Sequence, residues 1–506
     1  MNWKEIIIKM KKHICLLIIS LMSVSIVAAC GDNGNNKTDE TTANDDNLNE
    51  TTVNLIKEDI PVSDFNGYEF RILTRDSDHH LKEVQAEAEN GEIINDVIYR
   101  RNRAVEEKLN INIKIVAVGE VADYEILCDF FTKSVMANED VFDLALPHTV
   151  NAGTTATTGV MYNWHTVPYI DFNKPWWNSV IVDELTINGQ LYLAMSDFCI
   201  SAIDYTWVML YNYRMGTDYN IPNLYGVIKA GNWTVDLFHN YIKNVSADLD
   251  GNGIYDHNDL YGFTTHFNSA ILNWMFALDQ KVTKMNAAGY PEIIVNTEKM
   301  VSIVEKIYEI IYGGNYTLLV DSSQRIEKAY NVDLHDKAVA RKFESDEVIF
   351  ASIRTQYIDL LRNMQSEYGI IPFPKYDELQ PAYYTHVDGH APLMCLPITL
   401  NNVERAGIII EALSAETSRE VVPAVMDIVL QSKFARDAVS YEMLELILAG
   451  RVYTFGYIYD GWKGMQWALT NLMSQKSKDF ASYYQKNESA ALAQIKNIMD
   501  AFDDIK

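Results

Sequence analysis

The stretch YEFRILTR (68–75) sets Tyr68, Phe70, Ile72 and Thr74 on one side of an extended chain, the period-two pattern of a strand. Beyond Gly91 the period becomes helical, with Ile94, Val97, Ile98, Val105 and Leu109 on one face. INIKIVAV (111–118) alternates again, a second helical pattern carries Leu127, Phe130, Phe131 and Val135, and FDLAL (142–146) reads as a short buried strand. Strand, helix, strand, helix, strand in that order predicts an α/β lobe around a mostly parallel sheet.

Outward from this block the signals continue. His148–Gly159 is polar and rich in Gly and Thr. Thr234–Val245 is an amphipathic helix with Thr234 as its cap and Leu237, Phe238, Tyr241, Ile242 and Val245 inward. VIFASI (348–353) and YGIIPF (368–373) are strand-like, and residues 403–500 are almost wholly helical in pattern. There is no internal repeat and no Pro- or Gly-rich linker between halves. Two lobes would therefore be joined by a chain that crosses between them more than once.

The 506 residues allow three domains at roughly 150 residues each, or two large lobes. With 48% hydrophobic and 11% aromatic residues a large core is available, so wholesale disorder is excluded. The formal charge of −27 argues against nucleic acid, because phosphate binding needs a basic surface, and against attraction to anionic lipid. Five cysteines exclude a disulfide-rich scaffold and offer no CxxC zinc spacing.

Lys4, Lys9, Lys11 and Lys12 precede an apolar run from Ile14 to Ala29. As a helix it would be about 24 Å long at ~1.5 Å per residue, short for a membrane span and suited to a signal sequence. It ends Val27-Ala28-Ala29-Cys30, which resembles a bacterial lipobox: cleavage would leave Cys30 to carry a diacylglyceryl group and a palmitate. Residues 31–54 hold Ala43, Leu48 and Val53 as their apolar members and cannot offset the entropy of ordering. They read as a tether, roughly 30 Å r.m.s. from Gly31 to Ser63 at ~5–6 Å × √n. Two acyl chains anchor stably where one does not. The expectation is a signal peptide over 1–29, a lipidated tether over 30–64, and a body on the outer face of a cell membrane. Cleavage removes a net +3, so the mature chain carries −30. Cys128, Cys199 and Cys395 remain in the body, best read as three packed thiols.

DLDGNGIYDHND (248–259) follows the register of a calcium loop of the EF-hand type. Asp248, Asp250, Asn252 and Asp256 stand at positions 1, 3, 5 and 9, Ile254 would offer its carbonyl at position 7, and Gly253 permits the sharp turn. Position 12 is Asp259 rather than Glu, and the exit LYGFT is strand-like, so this is no paired EF-hand. A structural Ca²⁺ is expected; the plain alternative is an acidic turn.

Several segments resemble the extracellular solute-binding proteins of bacterial ABC importers, family 1, the sugar-binding group. They are NGEIINDVIYRRNRAVEEKLNI (90–111), PYIDFNKPWW (168–177), LTINGQLYLAMSD (185–197), AGNWTVDLF (230–238), DLDGNGIYDHNDLYGF (248–263), YGIIPFPKYDELQPAYY (368–384) and SYEMLELI (440–447). Their order along the chain carries the resemblance, and the lipobox and tether fit its Gram-positive members. Where many relatives have Asn-Lys after the first lobe crossing, this chain has Asn212-Tyr-Arg214. The resemblance implies a type II periplasmic-binding-protein fold, two α/β lobes joined by hinge strands with the ligand cleft between them. Crossings are expected near Gly189–Asp197 and Ile370–Lys375. Lobe one would be 65–193 plus 373–420, and lobe two 194–372 plus 421–506. It also implies a monomer that captures an oligosaccharide and delivers it to a membrane permease.

Sugar sites combine apolar walls with a few convergent polar groups. Family position points to loops after strands: Arg75 and Asp76, His148 and Asn151, Asp197 at the hinge, His266 beyond the acidic loop, and Arg354 after VIFASI. Trp207, Tyr384 and Trp462 are candidate platforms, whereas Trp176, Trp177 and Trp233 read as packing. His79 and His80 are adjacent, cannot share one helix face, and make a poor metal site. Two rivals stand beside import. One is a surface sensor or adhesion protein on the same fold. The other is an exported glycoside hydrolase, which needs two carboxylates roughly 5–10 Å apart. No GxSxG, HExxH or GxxxxGK[ST] motif is present.

Overall fold

The alternation at 68–75 forms the middle of a parallel sheet. In the computed structural model, which describes residues 56–119, 124–321, 326–332, 334–430, 438–460 and 464–505, strand β1 (Tyr68–Arg75) pairs with β2 (Ile111–Val118) along its whole length. It pairs with β3 (Leu144–Ala145) through Ile72 and Leu73, giving the order β2-β1-β3. At the end of β1 alternation gives way: Ile72, Leu73, Thr74 and Arg75 are all buried, because a central parallel strand is covered on both faces. Asp143 holds β3 beside it, accepting from the Arg71 backbone N–H at 2.7 Å, Arg71 Nε at 3.1 Å and the Tyr68 hydroxyl at 2.7 Å.

The helix beyond Gly91 is Ile93–Leu109, with Val97, Ile98, Val105 and Leu109 buried as the period requires. The Glu92 carboxylate accepts from the backbone N–H groups of Ile94 and Asn95, donors a first turn leaves free. A seven-residue helix, Asp78–Val84, precedes it and is too short to show a period in sequence. Next to β3, Ala145 and Cys395 exchange hydrogen bonds of 2.9 and 3.0 Å, and Met394 does the same with Ala194. The first sheet thus gains members from late in the chain.

The second sheet uses β4 (Trp207–Asn212), β5 (Ser246–Ala247) and β6 (Leu260–Thr265). A separate hairpin of β7 (Thr283–Met285) and β8 (Pro291–Ile293) follows, then β9 (Thr317–Leu319), β10 (Val348–Arg354) and β11 (Tyr368–Ile371). The order is β11-β4-β10-β6-β5, with β9 also on β6. Here β6, β9 and β10 run parallel and β4 antiparallel to β10. The carboxyl ends of β6 and β10 and the amino end of β4 therefore meet at one edge. The helix Val235–Ile242 buries Val235, Phe238 and Ile242, and Thr234 Oγ1 caps it by accepting from Leu237 N–H at 3.3 Å.

Each sheet has its own core. The first core runs to Tyr205 and the second begins at Trp207; the second holds Tyr383 and the first resumes at Val387, with Leu272 and Phe276 the members of the first core between these two passages. Thr206 pairs with Val387, and β12 (Thr385–His386) pairs in parallel with β13 (Arg451–Val452), so three passages lie side by side. They come later in the chain than expected at Gly189–Asp197 and Ile370–Lys375. The stretch 421–506 does not stay in lobe two. Phe455, Tyr457, Ile458 and Tyr459 pack in the first core, and the last helix, Phe480–Asp504, puts Phe480 in the second core and Ile498 and Phe502 in the first. Periodicity marks a buried face but not which of two cores buries it.

Lys57–Lys506 form one compact unit, and the other, Met1–Ile56, has Ile56 alone among the described residues. The signal sequence, Cys30 and the tether to residue 55 lie outside them. Residues 57–64, expected in the tether, lie on the first lobe. Glu58 pairs with Arg419 at 2.8 Å and with Lys108, and Lys174 Nζ donates to the Lys57 carbonyl at 3.0 Å. Ile60 also packs against the first core, so apolar contact and the two ion pairs hold the segment to the lobe. Cys128, Cys199 and Cys395 are buried free thiols. No helix among the described residues is long and apolar enough to cross a membrane.

The helices Thr149–Ala156 and Phe455–Asp460 approach closely at Gly153. A Cβ there would stand 2.0 Å from the Ile458 carbonyl oxygen, inside any permitted contact. Gly153→Ala is expected to destabilise by about 1–3 kcal/mol through overpacking. Urea unfolding at equal m-value is the measurement, and an unchanged midpoint would refute the close approach.

Candidate functional site

In the first sheet, connections leave β1 toward β2 on one side and arrive at β3 on the other. A crevice opens outside the carboxyl ends of β1 and β3, where α/β sheets hold ligands. Arg75 is the last residue of β1, and His148 stands three residues beyond β3 as the N-cap of Thr149–Ala156. In the second sheet Trp207 and Arg354 are register partners at the edge described above, and His266 follows β6. The hinge segments supply Tyr205, Asp388 and His390 between the two edges.

These groups form one cluster. Arg354 is buried and ion-paired on two sides, its Nη2 2.7 Å from Asp336 Oδ2 and its Nη1 3.4 Å from Asp388 Oδ1. Its guanidinium carbon lies 5.8 Å from the ring centroids of both Tyr205 and Trp207 and 5.3 Å from that of Tyr357. Burial works against the charge on Arg354, but Asp336 and Asp388 more than reverse this and hold it protonated. Burial likewise favours the neutral acids, yet Arg354 keeps both carboxyls below the usual range. His266 Nε2 is 3.5 Å from Asp336 Oδ2; despite burial, that carboxylate raises its pKa.

On the other side of the hinge the Tyr205 ring stacks on His390 at 5.4 Å and on His80 at 6.1 Å. His390 Nδ1 bonds Asp388, and its Nε2 is 3.0 Å from the Tyr124 hydroxyl. Arg75, fully buried, donates through Nη2 to the His390 carbonyl. Several polar atoms here are buried without a partner among the described residues: Arg75 Nε and Nη1, His148 Nδ1, Asn151 Oδ1, Trp207 Nε1 and His266 Nδ1. Buried polar atoms are costly unless they are bonded, so a concentration of them marks a place for polar ligand groups or water.

Five of the residues singled out in the sequence, Arg75, His148, Trp207, His266 and Arg354, thus come together, with Asn151 on the helix beside them. Asp76 follows Arg75 but is exposed at the rim. Asp197 is not in the cluster: it lies by Ser418 and Arg451, with burial pushing its carboxyl up to about 6. Tyr384 is half-buried beside Asp279 of the second lobe rather than with these groups. Trp462 lies outside the described residues. Trp207 is wholly buried, so as found it is a wall of the second core, not an open platform. Trp176 and Trp177 are packing residues as read, both indole N–H groups donating to Glu411, and Trp233 donates to the Pro372 carbonyl. Tyr205, Asp336, Asp388 and His390 escaped the sequence reading. The polar run HVDGH (386–390) inside a buried stretch was the available signal.

The acidic loop sits in the β5–β6 hairpin. Asp248 accepts from the backbone N–H groups of Gly251 and Gly253 at 2.8 and 2.7 Å, and Asp259 from those of Leu249 and Asp256, both at 2.8 Å. Asp248, Asp250 and Asp259 can each turn one oxygen to within 4.8 Å of the others. Buried Lys342 bonds the His257 and Asp259 carbonyls and so supports the loop from below.

No protein-family model and no curated protein matches the sequence. Solved structures do resemble it. UspC of M. tuberculosis aligns with a TM-score of 0.53 at 10% identity, over 84% of this chain and 100% of that one. A cyclo/maltodextrin-binding protein complexed with maltotetraose gives 0.51 at 14%, over 85% and 96%. The GacH receptor of Streptomyces glaucescens, solved unliganded and with acarbose, gives 0.50 at 11%, over 87% and 98%. The fold is therefore the two-lobed periplasmic-binding-protein fold.

His386, in the hinge strand β12, stacks on Phe276 at 4.7 Å, and neither ring nitrogen has a partner among the described residues. Burial lowers its pKa to about 4, with Asp388 pulling weakly the other way. The unfolded chain takes up this proton first, so this residue's contribution to stability is present above about 6.5 and is lost as pH falls toward 4. Glu83 and Glu411, whose carboxyls burial raises to about 7, act oppositely, and Asp336 and Asp388 act in the same sense, so the comparison is with His386→Phe. Between pH 6.5 and 4.5 the Tm of the native protein should drop further than that of the variant, and parallel curves would refute the assignment.

Proposed function

We propose that this chain is the substrate-binding lipoprotein of an ABC importer, which captures an oligosaccharide between its lobes and hands it to a membrane permease. The observation that carries the reading is the set of buried, unpartnered polar atoms where two sheet edges face each other across three hinge passages. A ligand whose groups meet Arg75 and His148 on one side and Trp207 and His266 on the other stabilises the closed arrangement by contacts the open one lacks. Hydroxyl-rich sugars suit such donors and acceptors, and the aromatic walls suit their C–H faces. The resemblance in fold to a maltodextrin-binding protein and an acarbose receptor supports the same class. Binding and release need no covalent chemistry.

Cys30 would hold the chain to the outer leaflet through its acyl groups. A structural Ca²⁺ would be held by Asp248, Asp250, Asn252, Asp256 and Asp259 with the Ile254 carbonyl. The convergence of three carboxylates, hard oxygen donors that leave lone pairs free beyond their backbone bonds, fits that ion. Its chemistry there would be to neutralise the loop and fix the β5–β6 turn.

A thermal-shift panel of neutral and acidic oligosaccharides, amino acids and peptides tests the ligand class. At one hundred times Kd a ligand adds about 2.7 kcal/mol. A rise with sugars alone is expected; a rise with peptides alone would overturn the carbohydrate reading, and steady glycoside turnover would favour a hydrolase. EDTA should lower Tm, Ca²⁺ should restore it, and Asp248→Ala should abolish both responses. An EDTA-indifferent melt would reduce the loop to a turn.

A further inference from the structure

Among the described residues three arginines are buried deep enough to compare. Arg101 spends its guanidinium on the Asn102 side chain and the Glu83 and Val84 carbonyls, under the ring of Phe198, and is structural. Arg354 is neutralised by Asp336 and Asp388. Arg75 is as inaccessible as Arg101, yet no carboxylate among the described residues pairs with it. Among the described residues its one bond is to the His390 carbonyl, and Nε and Nη1, which carry three hydrogens, have no acceptor there. The carboxyl acting on it, Glu83, turns Oε2 to the Ser201 backbone N–H instead, and burial pushes it up to about 7. His79, His80 and His148 around it are kept neutral, first by burial and then by Arg75 itself.

A guanidinium buried alone is costly, because water is lost and nothing replaces it. This one stands at the carboxyl end of β1, at the crevice where the sheet's connections diverge, beside the unpartnered Nδ1 of His148. Building on the carbohydrate reading, we propose that the ligand is an acidic sugar whose carboxylate, as in a uronic-acid residue, completes the hydrogen bonding of Arg75. The body's overall charge repels such a ligand at long range, so selectivity arises at Arg75 and not from the protein's field. A neutral sugar would leave the charge uncompensated.

Calorimetry on the full mature chain tests this with uronate tetrasaccharides of several linkages, each beside its neutral methyl ester, and with maltotetraose and a sulfated tetrasaccharide. At least one uronate should bind roughly 30-fold tighter than its ester, the penalty expected where a buried charge is denied its counter-ion. Arg75→Gln should level the pair. The ligand-free Arg75→Gln protein should melt no lower than the native one, since it sheds an uncompensated charge; a lower melt would mark Arg75 as a structural post and overturn the proposal. Esters or maltotetraose binding as tightly as the acids would overturn it while leaving the carbohydrate reading in place. Preference for the sulfated sugar would overturn the carboxylate. Failure of every sugar, with a peptide binding, would overturn the carbohydrate reading itself.

Discussion

Arg354 sits where the second sheet, its neighbouring helix and the hinge all meet, and its charge constrains each of them. Asp336 comes from the start of the helix His335–Glu344, Asp388 from the returning hinge strand, and Trp207 from the strand paired with its own. Two ionised acids and a guanidinium are out of water together. Such a group is stable as a set but breaking it by removing one member costs about 3–5 kcal/mol, because the partners' charges stay buried. The passage at 205–207 and 385–388 is thus held by these ion pairs together with the buried side chains of Tyr205, Trp207 and Val387.

The first lobe answers with a different anchor. Glu411, fully buried in the helix Val403–Glu416, accepts from the indoles of Trp176 and Trp177 at 3.0 and 2.8 Å. Burial raises its carboxyl to about 7, the two indole bonds opposing that. These bonds tie a helix from late in the chain to the loop before Ser179–Leu185, as Gly153 ties Thr149–Ala156 to Phe455–Asp460. Late segments therefore stitch the early lobe, which is why the chain passes the hinge repeatedly and why the last helix serves both cores.

Much of the architecture was legible because local periodicity has local causes. YEFRILTR, INIKIVAV and VIFASI became strands, and the Thr234 cap and the helices after Gly91 and within 403–500 formed, since burial of one face and capping are properties of neighbouring residues. The cluster was partly legible by the same logic: Arg75, His148, His266 and Arg354 all follow strand signals, and carboxyl ends of strands are where a sheet opens. Asp197 and Tyr384 also flank apolar stretches, but their partners, Ser418, Arg451 and Asp279, are distant in sequence, and nothing local tells a hinge neighbour from a cleft residue.

By itself the amino-acid order determined an α/β body, preceded by a stretch that resembles a lipobox and a polar segment, with an acidic loop in the register of a cation site. Each of these is written in spacing, charge or length over a few dozen residues. The tertiary structure alone decided which buried charges are paired and which stands alone. Arg354, Arg101 and Arg75 look alike in sequence. They differ because folding brought carboxylates to the first, carbonyls to the second, and to Nε and Nη1 of the third no acceptor among the described residues.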